Sequence, residues 1–214
     1  MEREVSQDRI WVARVFAEAG CRLLVLPSAE RILDRLWALK TGQIDFLSAG
    51  TPLPERSDYA WFSVPYGQEK IVLVVHQALA PTLKINSLSD LVDSQRTVIA
   101  PHFGYYGPDW DASKISLEQR GRLEIYKNWG KARGLLWRKP EHILLIVEDA
   151  ALDVVAHPKP ALVILPKALY QSDVVFMFSR ATVTAVEVHL INAAITRLLA
   201  RGIRPNETLS SGEP

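Results

Sequence analysis

A threonine and an arginine near the end of a predicted strand have side chains suited to binding an anion. Thr51 comes shortly after the apolar run 44–47, Pro52 is next to it, and Arg56 lies about one helical turn further on. Threonine at an N-cap followed by proline predicts a helix that begins here. Free backbone N–H groups at a helix start, the Thr51 hydroxyl and the guanidinium of Arg56 would together suit a carboxylate. Considered alone, the segment is explained more often by a capped helix with a solvated arginine.

A glycine and a tyrosine follow another predicted strand. Gly104 and Tyr105 belong to the segment 101–109, directly after the predicted strand 97–100. Glycine allows a ligand to approach the backbone closely, and tyrosine offers a stacking face or a hydroxyl donor. A plain turn with core aromatic residues explains this segment almost as well.

An acidic pair comes directly after the apolar run Ile143–Val147. The carboxylate of Glu148 or Asp149, at the carboxyl end of a strand, can pair with an ammonium group. Acids in the first turn of a helix that interact only with the helix dipole are the more frequent explanation. Together, however, an arginine, a glycine-aromatic loop and an acid at three strand exits of an α/β fold would complement a zwitterion such as an amino acid.

Residue types that hold metals or act as nucleophiles do not form a recognisable motif. None of the five histidines belongs to an HExxH spacing, and no G-x-S-x-G sequence is present. We therefore predict no metal, no cofactor and no catalytic residue. A minor alternative makes His102, beside Gly104 and near Asp109, a general base.

The charge and hydropathy of the chain exclude other classes of function. The 214 residues contain 25 Lys and Arg against 24 Asp and Glu, a net charge of +1, whereas a nucleic-acid-binding protein needs a basic excess. Apolar runs such as Ile71–Val75 are far shorter than the roughly 20 residues of a membrane-spanning helix. The first residues lack the pattern of a secretory signal peptide, so we expect none in this chain.

The apolar pattern predicts helices that alternate with short apolar strands. Val12, Val15 and Phe16 recur with helical spacing before Gly20, and Ser28 is a candidate N-cap for a second helix. Such alternation indicates an α/β sheet covered by helices on both faces. The predicted helices are 6–19, the one that follows Ser28, 87–91, about 112–138 and 183–201, the last with Leu190 and Ile191 in its apolar stripe; the predicted strands are 22–26, 44–47, 71–75, 97–100, 143–147, 161–165 and 174–178.

The block from Gly42 to Tyr66, with Ala49-Gly50-Thr51 and Glu55-Arg56 inside it, resembles the polar amino-acid group (family 3) of bacterial periplasmic solute-binding proteins. The resemblance continues less specifically to the last helix. It implies an α/β fold of the two-lobed, periplasmic-binding-protein-like type II, in which each lobe is a mixed sheet flanked by helices and two hinge strands join the lobes. Lobe one would be 1–75 plus 179–214, and lobe two 76–178.

The resemblance also implies a function and roles for the site residues. It implies non-catalytic binding of a small polar solute, an amino acid first of all, in a cleft between the lobes for ABC-type transport. The protein would be a periplasmic monomer that delivers its ligand to an inner-membrane permease and binds no nucleic acid. By the family pattern Arg56 and Thr51 would bind the α-carboxylate, and the backbone of Ala49 would accept from the ammonium. The amides of Gly104 and Tyr105 would also meet the carboxylate, and Glu148 or Asp149 the ammonium.

Departures from the family pattern favour alternative functions. The chain begins at the helix that follows the family's first strand, and Gly104-Tyr105 stands where the family has glycine with serine or threonine. A sensor or input domain, or a degenerate member without a tight ligand, is therefore the main alternative. An enzyme similar to cyclohexadienyl dehydratases, which share the fold, is a third.

Overall fold

The structure is a computed structural model that describes residues 7–24, 32–102, 104–126, 129–157 and 159–205. Its helices are α1 (Gln7–Glu18), α2 (Ile32–Lys40), α3 (Leu88–Asp93), α4 (Trp110–Gln119), α5 (Trp129–Arg138), α6 (Glu148–Val155) and α7 (Ala185–Ala200). Its strands are β1 (Phe46–Gly50), β2 (Ala60–Phe62), β3 (Gly67–His76), β4 (Val98–Pro101), β5 (Leu123–Tyr126), β6 (Ile143–Val147), β7 (Leu162–Ile164) and β8 (Tyr170–Ser179).

The chain divides into two units. Unit 1 contains residues 1–68 and 173–214, and unit 2 contains residues 69–172. The chain passes from unit 1 to unit 2 within β3, after Gln68, and returns within β8, after Ser172.

Unit 1 is built on antiparallel pairing. Strands β1 and β2 both pair with β8. Helices α1 and α7 place their apolar stripes in one buried cluster with the aromatic side chains of β8. This cluster includes Trp11, Val15, Phe176, Phe178, Ile191 and Ile195. Burial of the α7 stripe follows from its helical spacing, and a capping box formed by Thr184 and Glu187 begins that helix.

Unit 2 is a mixed sheet with helices on both faces. Strand β3 is antiparallel to β6 and β7, whereas β4 is parallel to β5 and β6. Successive residues of β3 point to opposite faces, so that Leu73 packs in one cluster with α3 and α4 and Val74 in another with α5 and α6. Burial on both faces explains why residues 71–75 of β3, and strands β4 and β6, are continuous apolar runs rather than alternating ones.

These observations confirm the predicted α/β class, with a mixed sheet flanked by helices, and correct some of the predicted elements. Residues 21–24 form no strand, and the rest of the predicted strand 22–26 and the proposed N-cap Ser28 lie outside the described residues. The helical region 112–138 contains strand β5 between α4 and α5. Leu190 is 49% exposed, since it lies one position away from the buried stripe of α7. No helix in the described ranges is long and apolar enough to cross a membrane.

Candidate functional site

The end of β1 carries a backbone irregularity beside the predicted anion-binding segment. Leu47 pairs with Met177 and Gly50 with Val175, which leaves one extra residue in β1, a β-bulge. Within it Ala49 has a φ of 53°, a left-handed conformation that residues other than glycine rarely adopt. The Ala49 N–H donates to the hydroxyl oxygen of Tyr66 at 2.9 Å. Strained residues of this kind cluster at binding sites, so the bulge marks this edge of unit 1 as a candidate site.

The helix start predicted at Thr51 is wrong. A single 3₁₀ turn covers Pro54–Arg56, and its N-cap is Leu53, whose side chain cannot cap. A residue before proline avoids the α conformation, and Leu53, before Pro54, is accordingly extended with φ −90° and ψ 139°. The helix cannot begin earlier for this reason. Without a helix start at Thr51, Arg56 remains the main candidate in this segment for binding an anion.

Arg56 is held at one end of its guanidinium. Its Nη1 donates to the carbonyl oxygen of Thr51 at 3.1 Å and lies 3.9 Å from the Sδ of Met177. The side chain is partly buried, and no carboxylate of the described residues forms an ion pair with it. A guanidinium has five N–H donors in a planar fork, so a second edge is left for an anion.

Charged side chains lie close to the ring of Tyr59, three residues after Arg56. The Nζ of Lys40 lies 5.7 Å from the centre of its ring. Burial raises the pKa of the Tyr59 hydroxyl, although the positive charge of Arg56 opposes that shift. The negative charge of Glu55 acts on Tyr59 in the opposite sense to that of Arg56 and raises the pKa, so an acid as well as a cation lies near this ring.

In unit 2, aromatic rings leave no room for a side chain at Gly104 and Gly107 of the predicted loop. Gly104 has a φ of +134°, and a Cβ there would lie 2.5 Å from the ring of Tyr106. Gly107 has a φ of +106°, and a Cβ there would lie 3.0 Å from the ring of Tyr170. Tyr106 is buried, and burial raises the pKa of its hydroxyl strongly. Tyr105 is half-buried, and the centre of its ring lies 5.6 Å from that of Tyr170, with the two rings nearly perpendicular.

The acidic pair occupies the first turn of α6, where both carboxylates suit the helix dipole. Glu148 is already engaged, since its carboxylate lies 3.2 Å from the Nζ of Lys70. Asp149 is exposed and forms no ion pair with any described residue. Of the two acids, Asp149 has the carboxylate that a ligand could bind without displacing a partner.

The described residues show little that would suit metal binding or general-base catalysis. No group of three His, Cys, Asp or Glu side chains in the described part of the chain could hold a metal ion. His102, the alternative general base, is exposed, and its backbone N–H donates to the carbonyl of Tyr126 at 3.1 Å.

Unit 1 thus brings Ala49, Thr51 and Arg56 together, and unit 2 carries Gly104 with Tyr105, and Glu148 with Asp149, on separate segments. Three residues that contact these groups, Met177, Tyr66 and Lys70, were not predicted from the sequence. One signal was available for Met177, because an isolated glycine at the end of a strand, here Gly50, often marks a close approach.

No protein-family model matches this sequence, and no curated protein does. Several solved structures share its fold. The amino acid ABC transporter substrate-binding protein AbpA from Streptococcus pneumoniae, bound to L-arginine, has a TM-score of 0.72 at 20% identity, over 95% of this chain and 81% of that one. A mutant of ArgBP from T. maritima has a TM-score of 0.71 at 22% identity, over 92% and 81% of the two chains.

A third similar structure is a histidine kinase sensor domain with similarity to periplasmic binding proteins. Its TM-score is 0.70 at 14% identity, over 92% of this chain and 81% of that one. The chain therefore has the fold of amino-acid substrate-binding proteins, and this fold also serves as a sensor domain.

Proposed function

We propose that this protein binds a free α-amino acid without transforming it. The observation that carries the proposal is the state of Arg56, whose guanidinium is held by one nitrogen and has no carboxylate partner among the described residues. A positive charge kept partly buried without a counter-ion is costly, and a bound carboxylate removes that cost. The fold shared with AbpA and ArgBP supports the same ligand class.

The roles of the residues follow from their chemistry. The free edge of Arg56 and the hydroxyl of Thr51 donate to the α-carboxylate, and the Ala49 carbonyl accepts from the ammonium. For unit 2 we propose that the amides of Gly104 and Tyr105 donate to a carboxylate and that Asp149 pairs with an ammonium group. No step breaks or forms a covalent bond, so the protein releases the molecule that it bound.

We further propose that the protein is a periplasmic monomer that passes its amino acid to an inner-membrane ABC permease. AbpA, an ABC transporter substrate-binding protein of similar fold, supports this role. A sensor domain is the second candidate, supported by the histidine kinase sensor domain of similar fold. In that role the bound amino acid would regulate a signalling partner.

A thermal-shift measurement with each of the twenty standard L-amino acids tests the proposal. Ligand at about 100 times its Kd stabilises the folded protein by about 2.7 kcal/mol, which for a chain of this size raises Tm by roughly 5–11 °C. We expect such a rise for at least one amino acid and none for its decarboxylated amine. The Arg56→Gln variant should lose the rise, and Arg9→Gln, which changes an exposed arginine of the same unit, should retain it. A flat response to all twenty would overturn the proposal.

A further inference from the structure

Gly50 and Met177 pack against each other in unit 1. A Cβ on Gly50 would lie 2.5 Å from the Cγ and 2.6 Å from the Sδ of Met177, distances that real Cβ atoms do not adopt. The Met177 side chain therefore occupies the space that any other residue at position 50 would fill. The φ of Gly50 is not in the left-handed region, so the backbone itself does not require glycine. The missing side chain, rather than backbone freedom, is what this position provides.

The side chain of Met177 is buried among neighbours in the core of unit 1. It is 1% exposed and packs with Leu39, Ala60 and Val175, with Tyr59 partly buried against the same cluster. Its backbone is held in β8 opposite Leu47 on one side and Phe62 on the other. Because its surroundings are filled, the thioether can leave this place only by changing its rotamer against these neighbours.

The Sδ of Met177 reaches the guanidinium of Arg56, at 3.9 Å from Nη1. A thioether sulfur is a weak hydrogen-bond acceptor that is easily polarised, and it contributes little binding energy of its own. Its effect is geometric. The sulfur and the Thr51 carbonyl both contact Nη1, so two groups restrain one nitrogen of the guanidinium, and no described residue forms a hydrogen bond with its other edge.

We propose that Met177 is a positioning residue for Arg56, and that Gly50 is glycine because a Cβ there would push the Met177 sulfur away from the guanidinium. Amino-acid binding by Arg56 rests on the proposed function above, whereas the orientation of the guanidinium does not. Loss of this support lets the planar fork rotate, so that fewer of its donors meet a carboxylate at once. Met177 and Gly50 thus contribute to carboxylate recognition by orienting Arg56, without contacting the ligand themselves.

The first test needs no ligand. Rotation about the Nε–Cζ bond of Arg56 exchanges Nη1 with Nη2, and this exchange can be measured by ¹⁵N NMR of the side chain, with the signal assigned from its loss in Arg56→Lys. We expect faster exchange in Met177→Leu and in Gly50→Ala than in the wild type. Met177→Leu nearly conserves the volume of the core and so keeps the fold. Gly134→Ala, whose Cβ would lie 3.6 Å from the nearest atom, is the matched glycine control and should leave the exchange unchanged.

A double substitution separates the two residues. If Gly50 acts through Met177, then adding Gly50→Ala to Met177→Ala changes nothing further, because no long side chain is left to displace. A full additional effect of Gly50→Ala in that background would overturn the role given to Gly50.

Binding of L-arginine gives the functional readout by calorimetry. We expect Met177→Leu and Gly50→Ala to weaken L-arginine binding by about 3- to 10-fold, the range for one hydrogen bond, and Gly134→Ala to leave it unchanged. An equal loss of affinity in Gly134→Ala would indicate general damage and contradict positioning. If the wild type binds no amino acid but the NMR exchange responds as expected, the proposed function fails and the positioning stands. Unchanged exchange in both variants overturns the positioning, whatever the binding result.

Discussion

Lys70 of β3 and Glu148, the first residue of α6, form an ion pair, with 3.2 Å between the Nζ and a carboxylate oxygen. Ile71 pairs with Val147 in β3 and β6, so each member of the ion pair is adjacent to a paired residue at the end of the ladder. This arrangement engages one acid at the start of α6 and leaves its neighbour Asp149 without a counter-ion among the described residues. The two acids, equivalent in the sequence, are therefore unequal as ligand groups.

We expect Asp149→Asn to weaken binding of the amino acid that gives the largest thermal shift by about tenfold or more, because a charge-assisted hydrogen bond contributes about 1.5–3 kcal/mol. Glu148→Gln should weaken it less, since that carboxylate already interacts with Lys70. Calorimetry on the two variants makes the comparison. A larger loss in Glu148→Gln would reverse the assignment.

Arg56→Lys tests whether the planar fork matters beyond its charge. Lysine retains the positive charge but offers no bidentate geometry, so we expect a loss of amino-acid affinity of roughly 10- to 100-fold. Calorimetry at constant ionic strength measures it, with Arg9→Lys as the control for the general effect of such a change. Wild-type affinity in Arg56→Lys would show that charge alone suffices.

Gly104→Ala should destabilise the fold. A residue with a side chain is strained at a φ of +134°, and the new Cβ would collide with the buried ring of Tyr106. We expect the free energy of unfolding to fall by about 1–3 kcal/mol. Urea denaturation measures this change. Gly67→Ala, where a Cβ would meet nothing within 4 Å, is the control. A fully stable Gly104→Ala would mean that the loop rearranges at little cost.

Glu124 should make the stability of unit 2 depend on acid pH. Burial raises the pKa of this carboxyl, but the hydrogen bonds and charges of Lys139 and His142 outweigh burial and hold the pKa below its ordinary value of 4.5. A carboxyl with a lowered folded-state pKa stabilises the protein above the unfolded-state pKa and loses this contribution as the pH falls through the folded-state pKa.

We therefore expect Glu124→Gln to reduce stability at neutral pH and to flatten its decline below about pH 4.5, the ordinary pKa of the carboxyl. Urea denaturation across the acid range measures this, with Glu118→Gln, an exposed glutamate of α4, as the matched substitution. Parallel pH profiles for wild type and Glu124→Gln would contradict the linkage.

Thr184→Ala removes the capping box of α7, in which the Thr184 hydroxyl accepts from the Glu187 N–H and the Glu187 carboxylate accepts from the Thr184 N–H. We expect a cost of about 1 kcal/mol, or a fall in Tm of roughly 2–4 °C. Thr196→Ala, at an exposed position within the same helix, should cause no such fall. Equal values of Tm for the two variants would show that packing alone fixes the start of α7.

Some elements could be predicted from the sequence because their determinants are local. Ser87 caps α3 through its hydroxyl, which accepts from the Asp90 N–H, as the spacing predicts. Strand β5 was missed inside a longer helical region, because its four residues owe their conformation to pairing with β4 rather than to their own pattern. The helix start predicted at Thr51 was wrong for another reason, since Pro54 forces Leu53 into an extended conformation and delays the first turn.

The sequence alone determined the α/β class and singled out Arg56, since apolar periodicity and an arginine that follows a glycine-threonine turn are both readable within short segments. Only the tertiary structure decided which groups surround that arginine. Met177 lies 121 positions away along the chain and meets Arg56 because the register of β8 against β1 places it there. Lys70 meets Glu148 rather than Asp149 because the register of β3 against β6 places Ile71 opposite Val147. Strand register depends on the packing of both units' cores, so no local pattern could reveal these contacts.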